Sequence, residues 1–228
     1  MDFTVFEERI GYTFQNKSLI EQAFTHRSYL NEHRDLKREH NERLEFLGDA
    51  VLELVVTEFL YAKYPNKPEG ELTAYRAALV NTISISDAAS KLGMNEFLFL
   101  SKGEAKDTGR ARAIILANAF EAVIGALYLD KGYDPARDFI AAQLFHKTDE
   151  VVAKRLWQDA KSRFQELVQE HMNVTPTYEV IGQSGPDHDR KFTVGAFISR
   201  DRIAIGEGRS KQEAEQQAAE KAIAAKGW

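Results

Sequence analysis

The sequence predicts a two-domain protein, with an all-helical N-terminal domain followed by a small α+β module of order α-β-β-β-α. The apolar residues of the first part recur with a helical period. Between Tyr178 and Gly206 the period changes to alternation, and helical patterns flank this stretch on both sides. The pattern becomes weak and polar in between, so we predict a first domain at 1–150, a linker at 151–157 and a second domain at 158–228.

Helix boundaries in the first domain follow from apolar spacing and from residues that start or stop helices. Pro65 ends the second predicted helix, Gly93 is suited to a left-handed C-cap, and Asp134-Pro135 favours a helix start. We expect helices over Phe3–Tyr29, Asn41–Tyr64, Glu71–Val80, Ser84–Leu92, Ala113–Leu129 and Ala136–Phe145.

The second domain shows three short strands between two helices. Phe164, Leu167 and Val168 form the apolar face of the first helix, and Ser210 with Glu213 makes a capping box at the start of the last. The predicted elements are Ala160–His171, Tyr178–Ile181, Lys191–Ile198, Ile203–Gly206 and Lys211–Ala225.

Composition limits the function. The 228 residues include no cysteine, which excludes disulfides, thiolate chemistry and cysteine-bound zinc and makes a reducing cytoplasm the default compartment. Acidic residues near the N-terminus are unlike a signal peptide, so we expect no export signal.

The net charge is −5. Residues 1–157 contain 20 basic and 24 acidic residues, and residues 158–228 contain 10 basic and 11 acidic residues. Any nucleic-acid site must therefore be a local patch.

The most apolar stretch, Ala113–Leu129, has a single charge, Glu121, near its middle. A carboxylate at that depth is costly in lipid, and the stretch is short for a membrane span. We expect a buried helix of a protein that is not embedded in a membrane.

The helix beginning at Asn41 carries three carboxylates on one face. Glu42, Glu45 and Asp49 are separated by three and four residues, and each like-charged pair costs an isolated helix roughly 0.2–0.5 kcal/mol. A divalent metal ion would compensate these charges. The alternative is a solvated acidic face.

Glu121 is a further carboxylate that needs a partner, because an unpaired charge in an apolar helix is expensive. Asn118 lies one turn before it, so the two side chains form a pair of oxygen ligands suited to Mg²⁺ or Mn²⁺ together with Glu45 and Asp49. The alternative is an ion pair with Arg43 or Arg76. No histidine pair, glycine-rich phosphate loop or serine nucleophile is visible, which favours water as the attacking group, typically on a phosphodiester.

Two basic features have both a functional and an ordinary interpretation. Lys211 lies in the first turn of the last helix, where the helix dipole disfavours a cation unless an anion such as phosphate is bound. The alternative is a solvated lysine. The polar segment Ser101–Arg112 is either a basic loop near phosphates or a solvated connector.

Four segments together resemble bacterial ribonuclease III, the double-stranded-RNA endonuclease, over almost the whole chain. Residues 41–49, Asn-Glu-Arg-Leu-Glu-Phe-Leu-Gly-Asp, match the signature helix of that family. Thr25–Tyr29, Glu69-Gly70 and Ala117–Leu129 match further family segments in the right order.

The resemblance implies a metal site formed by Glu45, Asp49, Asn118 and Glu121, with Asp49 and Glu121 as the catalytic carboxylates. Glu42 and Glu69 would support the scissile strand, and Phe46 would contact a partner subunit of a homodimer. The family usually has aspartate where this chain has Asn118, so we expect a weaker or retuned metal site.

The resemblance also identifies residues 158–228 as a double-stranded-RNA-binding domain. Gln165 and Glu166 on its first helix, His188 in its first loop and Lys211 match the usual RNA-contact regions, while Gln212 stands where a second lysine is common. Such a domain reads the A-form shape through phosphates and 2′-hydroxyls.

These observations imply a magnesium-dependent endonuclease, with Mn²⁺ as a possible substitute, that hydrolyses duplex RNA in rRNA and mRNA precursors. Its products would carry 5′-phosphate and 3′-hydroxyl ends. The rival hypotheses are a duplex-RNA binder that has lost turnover through Asn118 and a helical metal phosphohydrolase acting on small nucleotides.

Overall fold

The computed structural model describes residues 1–186 and 190–228. The chain divides into two compact units, Met1–Trp157 and Gln158–Trp228. His188, one of the expected RNA contacts, lies outside the described residues.

The regular elements of the first unit are helical. They are α1 (Thr4–Ile10), α2 (Lys17–Ala23), α3 (Arg27–Glu32), α4 (Glu42–Lys63), α5 (Glu69–Leu79), α6 (Thr82–Lys91), α7 (Arg110–Lys131), α8 (Tyr133–Leu144) and α9 (Thr148–Ala153). Short 3₁₀ turns follow α6, precede α7 and follow α8, at Met94–Phe97, Glu104–Lys106 and Phe145–Lys147. The all-helical prediction for this region is confirmed.

The N-terminal prediction of one helix over Phe3–Tyr29 is wrong, because the segment forms three helices. Gly11 adopts a left-handed conformation with φ of 73°, which ends α1. The side chains of Asn16 and His26 then accept hydrogen bonds from the backbone N–H groups of Ser18 and Ser28 and start α2 and α3. The apolar spacing continues across the first break because α1 and α2 pack against one core, whereas α3 has no buried residue.

Helix α7 is the centre of the first unit. It is long and apolar enough to cross a membrane by length and composition, but 61% of its most apolar window is buried inside the fold. Ala119, Phe120 and Ala122 to Leu127 are almost fully buried. A core helix has this character because neighbouring helices cover most of its surface.

The segment expected to be a linker, 151–157, packs against the first unit. Val151 and Val152 lie in α9 and contact the core. The Trp157 ring meets Tyr75 edge-on, with 5.1 Å between the ring centroids. The polar residues around Lys154 made this segment resemble a linker, because only three of its residues form the apolar contacts.

The second unit is the predicted α-β-β-β-α module. Helices α10 (Ala160–Met172) and α11 (Lys211–Lys226) enclose the strands β1 (Thr177–Ser184), β2 (Lys191–Ile198) and β3 (Asp201–Gly208) in chain order. The strands form an antiparallel sheet of order β1-β2-β3. The core of this unit is formed by alanines of α11 together with Phe164, Val168, Ala196 and Ile198. The ring centroids of Trp228 and His171 are 4.9 Å apart.

Candidate active site

Helices α4 and α7 approach each other closely because glycine occupies both sides of their crossing. A Cβ atom added to Gly48 would lie 1.7 Å from the backbone oxygen of Glu121. A Cβ atom added to Gly125 would lie 2.2 Å from the backbone oxygen of Leu44. Real Cβ atoms do not approach other atoms within 3.0 Å, so no larger residue fits at either position without moving a helix.

This crossing brings the two predicted halves of the metal site together. The side-chain amide of Asn118 on α7 hydrogen-bonds the Glu45 carboxylate on α4. Burial raises the pKa of Glu121 to about 7, and the nearby carboxylates of Asp49 and Glu45 contribute to that rise. Burial and the Glu42 carboxylate also raise the pKa of Glu45. The site is therefore a cluster of carboxylates that disfavour one another's charge.

The alternative of an ion pair at Glu121 is wrong. Arg76 instead donates to Glu53, with 2.7 Å between its Nε and the carboxylate, and to the Thr57 hydroxyl at 2.9 Å. Arg43 is exposed. Among the residues that the structure describes, no basic side chain forms a salt bridge with Glu121, whose neighbouring charges are all negative.

The donor set fits a hard divalent cation in its chemistry, because Glu45, Asp49, Asn118 and Glu121 offer only oxygen ligands and an excess of negative charge. Within residues 1–186 and 190–228, however, no three acidic, histidine or cysteine side chains converge closely enough to hold an ion.

Three further expected residues lie on exposed surface. The Glu42 carboxylate at the start of α4 accepts from Arg27, with 3.3 Å between the atoms, and lies 3.7 Å from the His40 ring. Glu69 in the first turn of α5 accepts from the Thr73 hydroxyl at 3.0 Å. The Phe46 side chain is 81% exposed, an unusual position for a large aromatic group.

Sequence reasoning missed how the segment 101–109, which leads into α7, is held in place; residues 110–112 of the predicted loop already belong to that helix. The Ser28 hydroxyl accepts from the backbone N–H of Ser101 at 3.1 Å, and the Glu32 carboxylate accepts from that of Lys102 at 3.2 Å. The His26 Nδ1 atom lies 2.8 Å from the same hydroxyl, and burial lowers the pKa of His26, which favours the neutral ring that can accept a hydrogen bond from this hydroxyl. The sequence shows Thr25–Tyr29 only as a matching motif, because its partners lie about 70 residues away.

In the second unit the expected RNA contacts are exposed on two helices. Gln165 and Glu166 lie on α10, and the Glu166 carboxylate accepts from the Gln158 amide at 2.6 Å. Lys211 is the first residue of α11, next to Ser210, whose hydroxyl caps the helix by accepting from Glu213 N–H at 3.1 Å. The Glu213 carboxylate accepts a hydrogen bond from the backbone N–H of Arg209. In a standard capping box the donor would be the N–H of the N-cap residue, Ser210, so this half of the predicted box is displaced by one residue.

Comparison with known proteins assigns the chain. A Ribonuclease-III-like family model matches residues 16–148, and a double-stranded RNA binding motif model matches residues 160–225. A curated Ribonuclease 3 of Bdellovibrio bacteriovorus is 48% identical over 218 residues, covering 95% of this chain and 93% of the relative. The chain belongs to the ribonuclease III family. The resemblance seen in the sequence is thereby confirmed.

A second curated relative and a solved nuclease domain support the same family assignment. Ribonuclease 3 of Bacillus velezensis is 47% identical and covers 97% of this chain and 89% of its own length. The solved nuclease domain of ribonuclease III from Campylobacter jejuni has 40% identity and a TM-score of 0.57, covering 64% of this chain and 98% of that domain. The protein is a double-stranded-RNA endoribonuclease of a metal-dependent family.

Proposed function

We propose that the catalytic centre is the crossing of α4 and α7, where Glu45, Asp49, Asn118 and Glu121 hold Mg²⁺, with Mn²⁺ as a possible substitute. The observation that carries this is the raised pKa of Glu121, about 7, in a pocket of like charge without a basic partner among the described residues. Such a carboxylate cluster is stable at neutral pH once a cation neutralises it.

When bound, the ion supplies a polarised water and neutralises charge on the phosphodiester. The chain's own residues fix where this happens. Asp49 and Glu121 act as the catalytic carboxylates, and Asn118 holds Glu45 through the amide hydrogen bond. Glu42 and Glu69 flank the site and support the scissile strand. The products carry 5′-phosphate and 3′-hydroxyl ends, and the substrates include rRNA and mRNA precursors.

The enzyme acts as a homodimer in the cytoplasm, with Phe46 packed against the partner subunit. The exposed ring favours this arrangement because leaving it in water forfeits about 1.5–3 kcal/mol of burial free energy. The related nuclease domain from Campylobacter jejuni has a region involved in dimer formation. The absence of cysteine suits a reducing compartment.

One cleavage assay tests the proposal against its two rivals. The purified chain with MgCl₂ is incubated with long duplex RNA, single-stranded RNA and a free nucleotide. We expect only the duplex to be cut, with 5′-phosphate ends, and chelation by EDTA to stop the reaction. Binding without cleavage would favour the duplex-RNA binder that lost turnover, and release of phosphate from the nucleotide would favour the phosphohydrolase.

Changing Asn118 to Asp is expected to lower the Mg²⁺ concentration for half-maximal cleavage by about tenfold. The change adds a fourth negative charge to the ligand set, and ligand charge count is a main determinant of affinity for hard cations. It also removes the amide donor to Glu45, so the metal-free protein should unfold at a lower temperature.

The measurement is initial cleavage rate against MgCl₂ concentration, with Asn95→Asp as control, since Asn95 pairs with Arg112 away from the crossing. An unchanged magnesium requirement in Asn118→Asp would exclude residue 118 as a ligand.

Replacing Lys211 with alanine is expected to weaken binding of the chain to duplex RNA of any sequence and to reduce the slope of log affinity against log salt by about one. Lys211 is exposed in the first turn of α11, where its ammonium group adds to the positive end of the helix. The assay is fluorescence anisotropy with Ca²⁺ in place of Mg²⁺ at several salt concentrations.

Lys226→Ala is the matched control for this experiment, because Lys226 is an exposed lysine in the last turn of the same helix. Equal salt slopes for Lys211→Ala and the wild type would contradict a phosphate contact at Lys211.

A further inference from the structure

The start of α10 in the second unit is capped by a side chain of another helix. The first N–H groups of an α-helix have no carbonyl partner within the helix and need one elsewhere. The side-chain oxygen of Gln216 on α11 accepts from the N–H groups of Ala160 and Lys161, at 2.9 and 3.3 Å. Its amide group donates to Asp159, the N-cap residue of α10, with 3.1 Å between the atoms. One glutamine therefore ties the first turn of α10 to α11.

An ion pair joins the same two helices beside this glutamine. The Lys161 ammonium lies 2.6 Å from the Glu215 carboxylate. On α10, Lys161 lies four residues before Gln165. On α11, Glu215 lies four residues after Lys211. Residues at this spacing are neighbours on one face of a helix, so the ion pair lies one helical turn from an expected RNA contact on each helix.

Duplex RNA is recognised by shape, so the separation of two contact sites on a protein matters. A double-stranded-RNA-binding domain contacts two successive minor grooves and the phosphates of the major groove between them, and that groove is narrow in A-form RNA but wide in B-form DNA. We infer that Gln216 is a positioning residue that fixes the separation of Gln165 and Lys211, and thereby the preference of this domain for A-form RNA over B-form DNA. This inference rests on the proposed function, since it takes Gln165 and Lys211 as RNA contacts.

The test compares two duplexes of the same sequence, one of RNA and one of DNA. Fluorescence anisotropy of the full chain, with Ca²⁺ in place of Mg²⁺, gives a Kd for each duplex. We expect Gln216→Ala to raise the Kd for RNA by about tenfold and the Kd for DNA by less than about twofold, because only the A-form contact needs both helices at a set distance. A general loss of folded protein would raise both constants by the same factor, so the ratio of the DNA constant to the RNA constant reports the positioning alone.

Gln217→Ala is the matched control. The side-chain oxygen of Gln217, the next residue of α11, accepts from the Glu207 N–H at 2.8 Å and from the Lys221 ammonium at 2.9 Å. The variant loses hydrogen bonds of the same kind, but these lead to β3 and to α11 itself rather than to α10. Its ratio of the two constants should equal that of the wild type.

A charge exchange keeps the test decisive if Gln216→Ala does not fold. Gln216→Glu retains the oxygen that caps α10 but places a carboxylate against Asp159, so the ratio of the two constants should fall. Adding Asp159→Asn should restore the ratio to within about twofold of the wild type, because the asparagine amide can donate to the new carboxylate while its oxygen still accepts from the Ser162 N–H.

A ratio that is unchanged in Gln216→Ala, or that stays low in the double variant, would overturn the inference. A Kd for RNA that Gln165→Ala and Lys211→Ala both leave at the wild-type value would instead overturn the proposed RNA contacts, together with the inference that depends on them.

Discussion

Replacing Glu121 with glutamine is expected to lower the rate of duplex-RNA cleavage by on the order of a thousandfold or more, while RNA affinity stays within about twofold of wild type. The amide keeps the shape of the side chain but removes the charge that the other carboxylates already disfavour. Single-turnover cleavage and RNA binding measured in parallel separate the two effects. Equal losses in both would place Glu121 in substrate binding rather than in catalysis.

Glu53→Gln is the matched control for that change. Glu53 lies near enough to raise the pKa of Glu121, yet its own carboxylate is paired with Arg76 at 2.7 Å. We expect its cleavage rate to stay within about threefold of wild type, since paired surface charges contribute little.

The same Glu121→Gln substitution should stabilise the metal-free protein, and the gain should grow with pH. The folded-state pKa of Glu121 is about 7, above its ordinary value of 4.5, so the folded chain binds this proton more tightly than the unfolded chain. The wild-type protein consequently loses stability as pH rises from about 4.5 to 7, and the glutamine variant lacks that loss. Urea unfolding in EDTA at about pH 5 and about pH 8 measures the difference, and MgCl₂ should stabilise only the wild type.

Replacing Phe46 with alanine is expected to raise the dissociation constant of the proposed homodimer by about 30-fold to 1000-fold, corresponding to roughly 2–4 kcal/mol for an aromatic group at the centre of an interface. The ring is 81% exposed in the single chain, so it stabilises the folded chain little and is available to a partner. Sedimentation velocity across a concentration series measures the constant. Met172→Ala, at a 48% exposed residue of the second unit, is the control.

An unaltered dimer in Phe46→Ala would show that another surface holds the subunits together. The monomer stability of the variant should equal that of the wild type. A large drop in the midpoint of urea unfolding would instead indicate that Phe46 supports its own chain.

Local sequence patterns are sufficient to place the residues of each half of the proposed site on one helix face, because each half is local. Glu45 and Asp49 share a face at a spacing of four, and Asn118 and Glu121 at a spacing of three, which helix geometry alone requires. That the halves meet depends on Gly48 and Gly125, and a sequence pattern gives no distance between helices. The family resemblance supplies that pairing.

Other features depend on contacts that no periodicity reports. The breaks between α1, α2 and α3 follow from a left-handed glycine and side-chain caps within one continuous apolar pattern, so the spacing of Leu19, Ile20, Ala23 and Phe24 could not reveal them. The segment before α7 is held at Ser101 and Lys102 by hydrogen bonds to Ser28 and Glu32, which are exposed or half-buried polar residues of ordinary appearance.

The chain's two tryptophans fall one in each unit, beside different neighbours. Trp157 packs against Tyr75 and Trp228 against Phe164 and His171, so each indole reports the packing of its own unit. The Trp157→Phe and Trp228→Phe variants would each leave a single indole fluorophore. Nuclease and RNA-binding domains can thus be followed separately during unfolding, without any external label.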